Sequence, residues 1–421
     1  MNPIMSTFIF RCSECGTSYR EDQVQYTCPE CSQKQRIGGE IRGVLEVVLD
    51  ELPSGWPAAR PSDPEFLEAF WPMSPGSPIP PIPVGDTPLL EVQRLRIQLG
   101  MPRLWLKDDT RNPSGSSKDR ASLLVVAKAL EAGHGTVATA STGNAATALA
   151  AVAAAAGVEA VVFVPATAPR AKLVQMLVHG AHVIRVAGSY DLAFELCREA
   201  CDRFGWYNRN TALNPFTIEG KKTAALEIAH QLPDQQPDVV VVPTGDGVII
   251  SGMAKGFEDL VRAGLLHRVP RLLAVQPSGS DAIVRALAAE AETVERIEDA
   301  ASVADSLTVE VPRNARLALA KIRACGGAGI SVDDDLIVAA ISRLARATGV
   351  FAEPAGAAGL AGLELALDRG LIRHDERAVL LVTGTGLKDI PAATGAVAVP
   401  EPIAPDIDAV AEVIAGSGAG G

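Results

Sequence analysis

The chain has 421 residues, with 48% hydrophobic and 21% charged, which suits two or three folded domains and excludes a disordered chain. A net charge of −12 argues against a protein whose main task is wrapping nucleic acid, which needs a basic surface. Seven cysteines over this length are no disulfide framework, and the longest small-apolar stretch, 145–156, falls short of the roughly 20 residues of a membrane helix. The opening residues lack a basic segment followed by an apolar one, so a cytoplasmic protein without a membrane partner is expected.

The first element is a cysteine module. Cys12 and Cys15 form one C-x-x-C pair and, twelve residues on, Cys28 and Cys31 form another. Each pair makes a knuckle that presents two thiolates, and two knuckles complete a tetrahedron, the donor set of structural zinc. Five basic and five acidic side chains between 11 and 42 leave the module neutral, so a docking or stabilising appendage is expected rather than a nucleic-acid reader. Residues 72–84 are proline-rich and read as an extended linker or an arm laid across a surface.

From Gly85 to about Thr394 short apolar runs alternate with Ala/Leu-rich helical stretches, the signature of an α/β protein with mostly parallel sheets. Strands are expected at 104–106, 135–138, 160–164, 182–186, 239–242, 272–275 and 378–382. Helices are expected at 122–132, 142–156, 172–179, 190–204, 223–231 and 283–291. Asp333, Asp334 and Asp335 read as a helix start, which the helix dipole favours. The six histidines show no metal spacing and read as structural or surface residues, and Cys197, Cys201 and Cys325 as core fillers. The Gly/Ser-rich end, 416–421, is expected to be mobile.

The densest chemistry is Asn-Pro-Ser-Gly-Ser-Ser-Lys-Asp-Arg over 112–120. It places Lys118 after a strand and at a helix start, where a nearby cation is disfavoured and the amine becomes a better nucleophile. Three more loops follow strands. Ser141, Thr142, Gly143, Asn144 and Ala145 offer amides and side chains for a carboxylate. Gly245, Asp246 and Gly247, leading into Val248 and Ile249, offer a nest for a phosphate. The third loop starts at Thr383. In open parallel sheets ligands sit at these strand ends.

Taken together, the motifs Gly-Asp-Thr-Pro-Leu (85–89), the lysine loop, Ser-Thr-Gly-Asn (141–144), Asn-Pro-Phe-Thr-Ile-Glu-Gly-Lys-Lys-Thr (214–223), Pro-Thr-Gly-Asp-Gly-Val-Ile-Ile-Ser-Gly (243–252), Ala-Asp-Ser-Leu (304–307), Glu-Pro-Ala-Gly (353–356) and Thr-Gly-Thr-Gly-Leu-Lys-Asp (383–389) make the chain resemble the threonine synthases, fold-type-II enzymes dependent on pyridoxal 5'-phosphate. The resemblance implies two open, mostly parallel sheet domains beside a zinc-ribbon-like module. The expected boundaries are 1–50 for the module, 51–111 with 226–400 for the large cofactor-binding domain, 112–225 for the small domain and 401–421 for a tail. It implies a Schiff base from Lys118 to the cofactor and Asn144 facing the phenolic oxygen. It further implies that 141–145 clamp the substrate carboxylate, that 245–249 cradle the cofactor phosphate, and that Thr383 bonds the pyridine nitrogen. A hydroxyl there leaves the ring unprotonated and suits elimination and replacement at Cβ or Cγ.

The implied activity is a carbon–oxygen lyase that turns O-phosphohomoserine and water into threonine and phosphate. Alternatives are a related enzyme of β-elimination or β-replacement on serine, threonine or a phosphoserine-like acid, and a non-catalytic zinc-ribbon binding protein. A homodimer is the expected assembly. The chain departs from the family pattern at Ser117, where relatives carry a large residue. It also departs at Thr217 and Ile218, where many carry an arginine toward the substrate phosphate; Lys221, Lys222 and Arg313 are the candidates for that charge. Asp246, an acid in a phosphate loop, is expected to point away, cap the next helix or be neutralised by Lys255. Glu353 and Glu219 are outside candidates for the pocket.

Overall fold

Consecutive Val, Leu and Ala positions with no polar alternation form strands covered on both faces, and two such sheets dominate the chain. The structure, a computed structural model, describes residues 8–417 except Thr167, Pro169 and Asp234. In chain order the strands are β1 (Phe8–Cys12), β2 (Ser18–Tyr19), β3 (Leu45–Leu49), β4 (Leu89–Glu91), β5 (Leu104–Asp108), β6 (Thr136–Ala140), β7 (Glu159–Pro165), β8 (His182–Val186), β9 (Tyr207–Asn208), β10 (Val239–Pro243), β11 (Arg271–Pro277), β12 (Ala328–Val332) and β13 (Ala378–Val382).

The larger sheet runs β12-β11-β10-β13-β5-β4 and is parallel except for β4, which lies antiparallel to β5. The second sheet, β8-β7-β6-β9, is wholly parallel. All seven expected strands are present, with ends moved by one or two residues in five of them. Within these two sheets the structure adds three strands: the three-residue β4, paired at one edge of the larger sheet, and also β12 and β9. The Ala-Gly-Ile-Ser-Val run of β12 is half-buried at a sheet edge, and β9 has two residues, so neither carries the apolar run that marks a covered strand.

Helix ends follow local chemistry. The helix Tyr190–Phe204 is capped by Ser189, whose hydroxyl accepts from the Leu192 amide, and stops at Gly205 with φ +70°. The helix Asp334–Thr348 begins at the aspartate run as expected, and Asp334 also accepts from the Val303 amide at 3.0 Å. The alanine helix Asn144–Ala156 buries most of its length against the helix Lys118–Glu131, an approach that small side chains allow. The tail is not structureless throughout: Ile407–Ser417 is an exposed helix, and 418–421 lie outside the described residues, as do 1–7.

The N-terminal module forms its own antiparallel sheet, β2-β1-β3, and docks onto the body. Its Phe8 and Phe10 pack against Phe216, the Tyr26 hydroxyl accepts from the Asn208 amide at 2.9 Å, and Glu46 pairs with Lys321 at 2.6 Å. The proline-rich segment holds no helix or strand and lies along the body, with Val84 and Met73 buried and Ser77 donating to Glu131 at 2.6 Å. Among the described residues no helix is long and apolar enough to cross a membrane.

Candidate active site

The carboxyl ends of β5, β6, β10 and β13 come together, because the loops that follow them meet between the two sheets. A cavity of about 430 Å³ opens there, lined by Lys118, by 140–145 and by 244–249. That is the size expected of a cofactor site. Lys118 is the first residue of the helix Lys118–Glu131, as the loop spacing predicts. Burial pushes its amine down to about 8; Glu353 opposes the shift and Arg209 adds to it. The loop before Lys118 is tied to the last strand's loop by the Ser117 amide, which donates to the Thr383 carbonyl at 2.8 Å. Thr383 is buried against this loop and is not among the cavity-lining residues; its hydroxyl has no hydrogen bond among the described residues.

The glycine loop after β10 ends at Gly247, with φ +85°, and opens the helix Val248–Arg262 without a side-chain cap. Its first amides therefore face the cavity with no capping partner, the arrangement that holds anions. A Cβ at Gly247 would stand 2.8 Å from that of Ala318, so packing behind the loop enforces the glycine as well. Asp246 lines the cavity with its neighbours; its Oδ1 accepts from the Arg313 amide at 3.0 Å and its carbonyl from the Asn314 amide at 2.9 Å. It does not cap the next helix, and Lys255 is spent elsewhere, 2.5 Å from Asp259.

The loop 141–145 opens the helix Asn144–Ala156, again without a side-chain cap. Asn144 is held from both sides: its Nδ2 donates to Glu353 Oε1 at 2.7 Å, and its Oδ1 accepts from Lys388 Nζ at 3.0 Å. Glu353, an outside candidate from the sequence, and Lys388 thus reach the site through Asn144 without lining the cavity; both sit in motifs, Glu-Pro-Ala-Gly and Thr-Gly-Thr-Gly-Leu-Lys-Asp, that do not show this contact in the sequence. Glu219 does not belong there: it is buried with Lys222, Lys255 and Asp259. A contributor with no sequence signal is Gly38, which brings the N-terminal module to the cavity, next to Arg313, whose Nη1 donates to the Gly39 carbonyl at 2.6 Å.

Cys12, Cys15, Cys28 and Cys31 are free thiols whose sulfurs all lie within 4.8 Å of one another. Cys12 to Cys31 is 3.9 Å and Cys15 to Cys28 is 3.7 Å. A tetrahedron with metal–sulfur bonds of about 2.3 Å has edges of about 3.8 Å, so the cluster is shaped for one metal ion. The histidines form no such group among the described residues; His230 packs against Trp56 and Phe66. Cys197 and Cys201 are buried core residues as expected, and Cys325 is half-buried.

Comparison with known proteins agrees with this geometry. Residues 82–384 match the model of the pyridoxal-phosphate dependent enzymes. The chain is 37% identical over 412 residues to a threonine synthase of Methanosarcina acetivorans, covering 96% of this chain and 98% of that one. It is 35% identical over 412 residues to a threonine synthase of Methanocaldococcus jannaschii, with coverage of 96% and 98%. Maize serine racemase superposes with a TM-score of 0.62 at 26% identity, over 71% of this chain and 88% of that one. A strand-end cavity, an amine of lowered proton affinity, an open helix start and full-length similarity converge on one conclusion: the chain belongs to the pyridoxal-phosphate dependent enzyme family and, within it, to the threonine synthases.

Proposed function

We infer that the enzyme converts O-phosphohomoserine and water to threonine and phosphate, as a carbon–oxygen lyase dependent on pyridoxal phosphate. The observation that carries this reading is the likeness to threonine synthases along the full length, over a cavity that brings Lys118 beside two uncapped helix starts. Bound pyridoxal phosphate supplies the electron sink for charge that develops beside the amino group. The residues of the chain do the rest. Lys118, with its amine near neutrality, links the cofactor and carries protons between the substrate carbons. The amides of 141–145 receive the substrate carboxylate, and those of 245–249 the cofactor phosphate. Asn144, fixed by Glu353 and Lys388, would offer its remaining amide hydrogen to the cofactor's phenolic oxygen. Thr383, which lies behind the cavity lining in this structure, would have to turn its hydroxyl toward the cavity to serve as a neutral partner of the pyridine nitrogen. The test is release of inorganic phosphate from O-phosphohomoserine by the purified enzyme. Formation of a 2-oxo acid from threonine or serine, without phosphate release, would move the assignment to a dehydratase.

The lowered proton affinity of Lys118 sets a pH dependence. Only the free amine attacks the cofactor aldehyde, so apoenzyme should load pyridoxal phosphate faster as pH rises, with a midpoint of about 8. A midpoint at the ordinary lysine value of about 10.4 would remove burial as the activating factor. Rapid-mixing absorbance measures it.

The metal of the four-cysteine cluster is proposed to be zinc, since four thiolates with no open position suit a structural tetrahedral ion. One equivalent of zinc per chain is expected, and chelation should expose four further reactive thiols and lower the melting temperature. No change in thiol count on chelation would show that the cluster holds no ion. A cytoplasmic location, which keeps these thiols reduced, and a homodimer complete the reading. The proposed domain boundaries at 50, 111/112, 225/226 and 400 come from the family resemblance; separate sheets for β1–β3, for β6–β9 and for β4, β5 and β10–β13 support the first three.

A further inference from the structure

Three cations were candidates for charge at the site, and their surroundings separate them. Lys222 is saturated by Glu219 and by Asp259, the latter at 2.9 Å. Arg313 pairs with Asp191 and donates to the Gly39 carbonyl. Lys221 is different. It is 2% exposed, it lines the cavity with Lys118, and among the described residues its ammonium has neither a hydrogen bond nor an ion pair. A buried amine without a partner is costly, and an anion bound beside it would supply the missing partner.

Placement points to which anion. Lys221 ends the short helix Phe216–Lys221, which packs on the helix Val248–Arg262. A Cβ on Gly252 would fall 2.8 Å from that of Lys221, so the lysine stem lies along this helix one turn from its uncapped start. Burial, then Lys118 and Arg209, drive the Lys221 amine well below its ordinary range, with Asp246 opposing. Three basic groups, Lys221, Lys118 and Arg209, are thus crowded near an open helix start, and a bound dianion would favour the proton on Lys221 and satisfy the free amides together.

We propose that Lys221 is the phosphate-binding cation of this cavity, completing with the amides at 245–249 a site for a phosphomonoester. The proposal rests on the function given above. Two phosphomonoesters enter that reaction, the cofactor and the substrate; the position along the helix Val248–Arg262 favours the cofactor's phosphate.

The experiment uses full-length apoenzyme and holoenzyme of wild type, Lys221→Met and Lys221→Arg. Apoenzyme is titrated by absorbance with pyridoxal phosphate and with pyridoxal, which lacks the phosphate. Lys221→Met should weaken pyridoxal phosphate by about thirtyfold and leave pyridoxal unchanged, while Lys221→Arg should retain most of the preference. If instead cofactor affinity holds and KM for O-phosphohomoserine rises about thirtyfold at constant kcat, Lys221 still binds a phosphomonoester, and it is the substrate's. If neither phosphate is affected, the proposal is overturned. A second readout does not need cofactor or turnover. Removing a buried amine that has no hydrogen-bond partner among the described residues should raise the melting temperature of the apoenzyme and abolish its stabilisation by inorganic phosphate; a lower melting temperature with phosphate stabilisation intact would mark Lys221 as structural and sink the idea. Failure of the wild type to release phosphate from O-phosphohomoserine would overturn the function alone, since the comparison of pyridoxal phosphate with pyridoxal still tests Lys221.

Discussion

Replacing Lys118 with alanine should abolish the visible absorbance of the lysine-linked cofactor and lower phosphate release from O-phosphohomoserine by at least about 10⁴-fold. The size of the effect follows from two roles in one amine. Lys118 is the nucleophile that holds the cofactor aldehyde, and it is the base whose proton affinity, brought to about 8, matches working pH. The loop that carries it is fixed from behind by the Ser117 amide on the Thr383 carbonyl, and Asp119 anchors it by accepting from the Ser114 amide at 2.8 Å. The fold should therefore survive, and the melting temperature of the apoenzyme should change little. Addition of small primary amines should restore part of the proton transfer. Retention of full absorbance in this variant would show that another amine holds the cofactor.

Replacing Arg120 with methionine should destabilise the protein by about 3–5 kcal/mol, the usual cost of removing one partner from a buried ion pair. Arg120 is 1% exposed. Its Nε and Nη2 reach Asp109 at 2.9 and 2.7 Å, and Nη2 also reaches Glu227 Oε2 at 2.9 Å and Thr87 Oγ1 at 3.0 Å. Lys107 Nζ adds a contact to Glu227 at 2.6 Å. Without Arg120 two buried carboxylates share one lysine. The network explains the Gly-Asp-Thr-Pro-Leu motif, whose Asp86 and Thr87 amides both donate to Glu227: it binds β5, the start of the lysine helix and the helix Thr223–Gln231 into one unit. Arg120→Lys should recover only part of the loss, because an ammonium lacks the planar fork that serves two carboxylates. Acid sensitivity should change as well. Burial opposes ionisation of Glu227, but Arg120 and Lys107 prevail and hold its carboxyl well below the usual range. Its ionisation therefore contributes stability that is complete above pH of about 4.3 and is lost as pH falls toward the depressed value. In Arg120→Met that loss should begin at higher pH, which melting curves across the acid range would register.

Much of the architecture is written in local patterns. Four consecutive valines, 239–242, demand a strand covered on both faces, and alternation with Ala/Leu helices demands parallel sheets. The two C-x-x-C pairs specify a tetrahedral sulfur site, because each knuckle needs only its own neighbours. Lys118 at a helix start and the glycine loops after strands are likewise short-range features, legible from residue order. What lay beyond the sequence is contact between distant residues. Asn144 meets Glu353 from 209 positions away and Lys388 from 244, and Gly38 arrives from a separate module. Lys221 and Lys222 are adjacent and chemically identical, yet one lines the cavity and the other is consumed by Glu219 and Asp259. A helix turns by about 100° per residue, so neighbours in sequence face different environments, and only packing of the helices Phe216–Lys221 and Val248–Arg262 decides which lysine has no ion pair among the described residues. Sequence order specified the strands, the metal knuckles and the reactive amine; tertiary packing decided which charges are neutralised, because electrostatic partners are chosen by proximity in space.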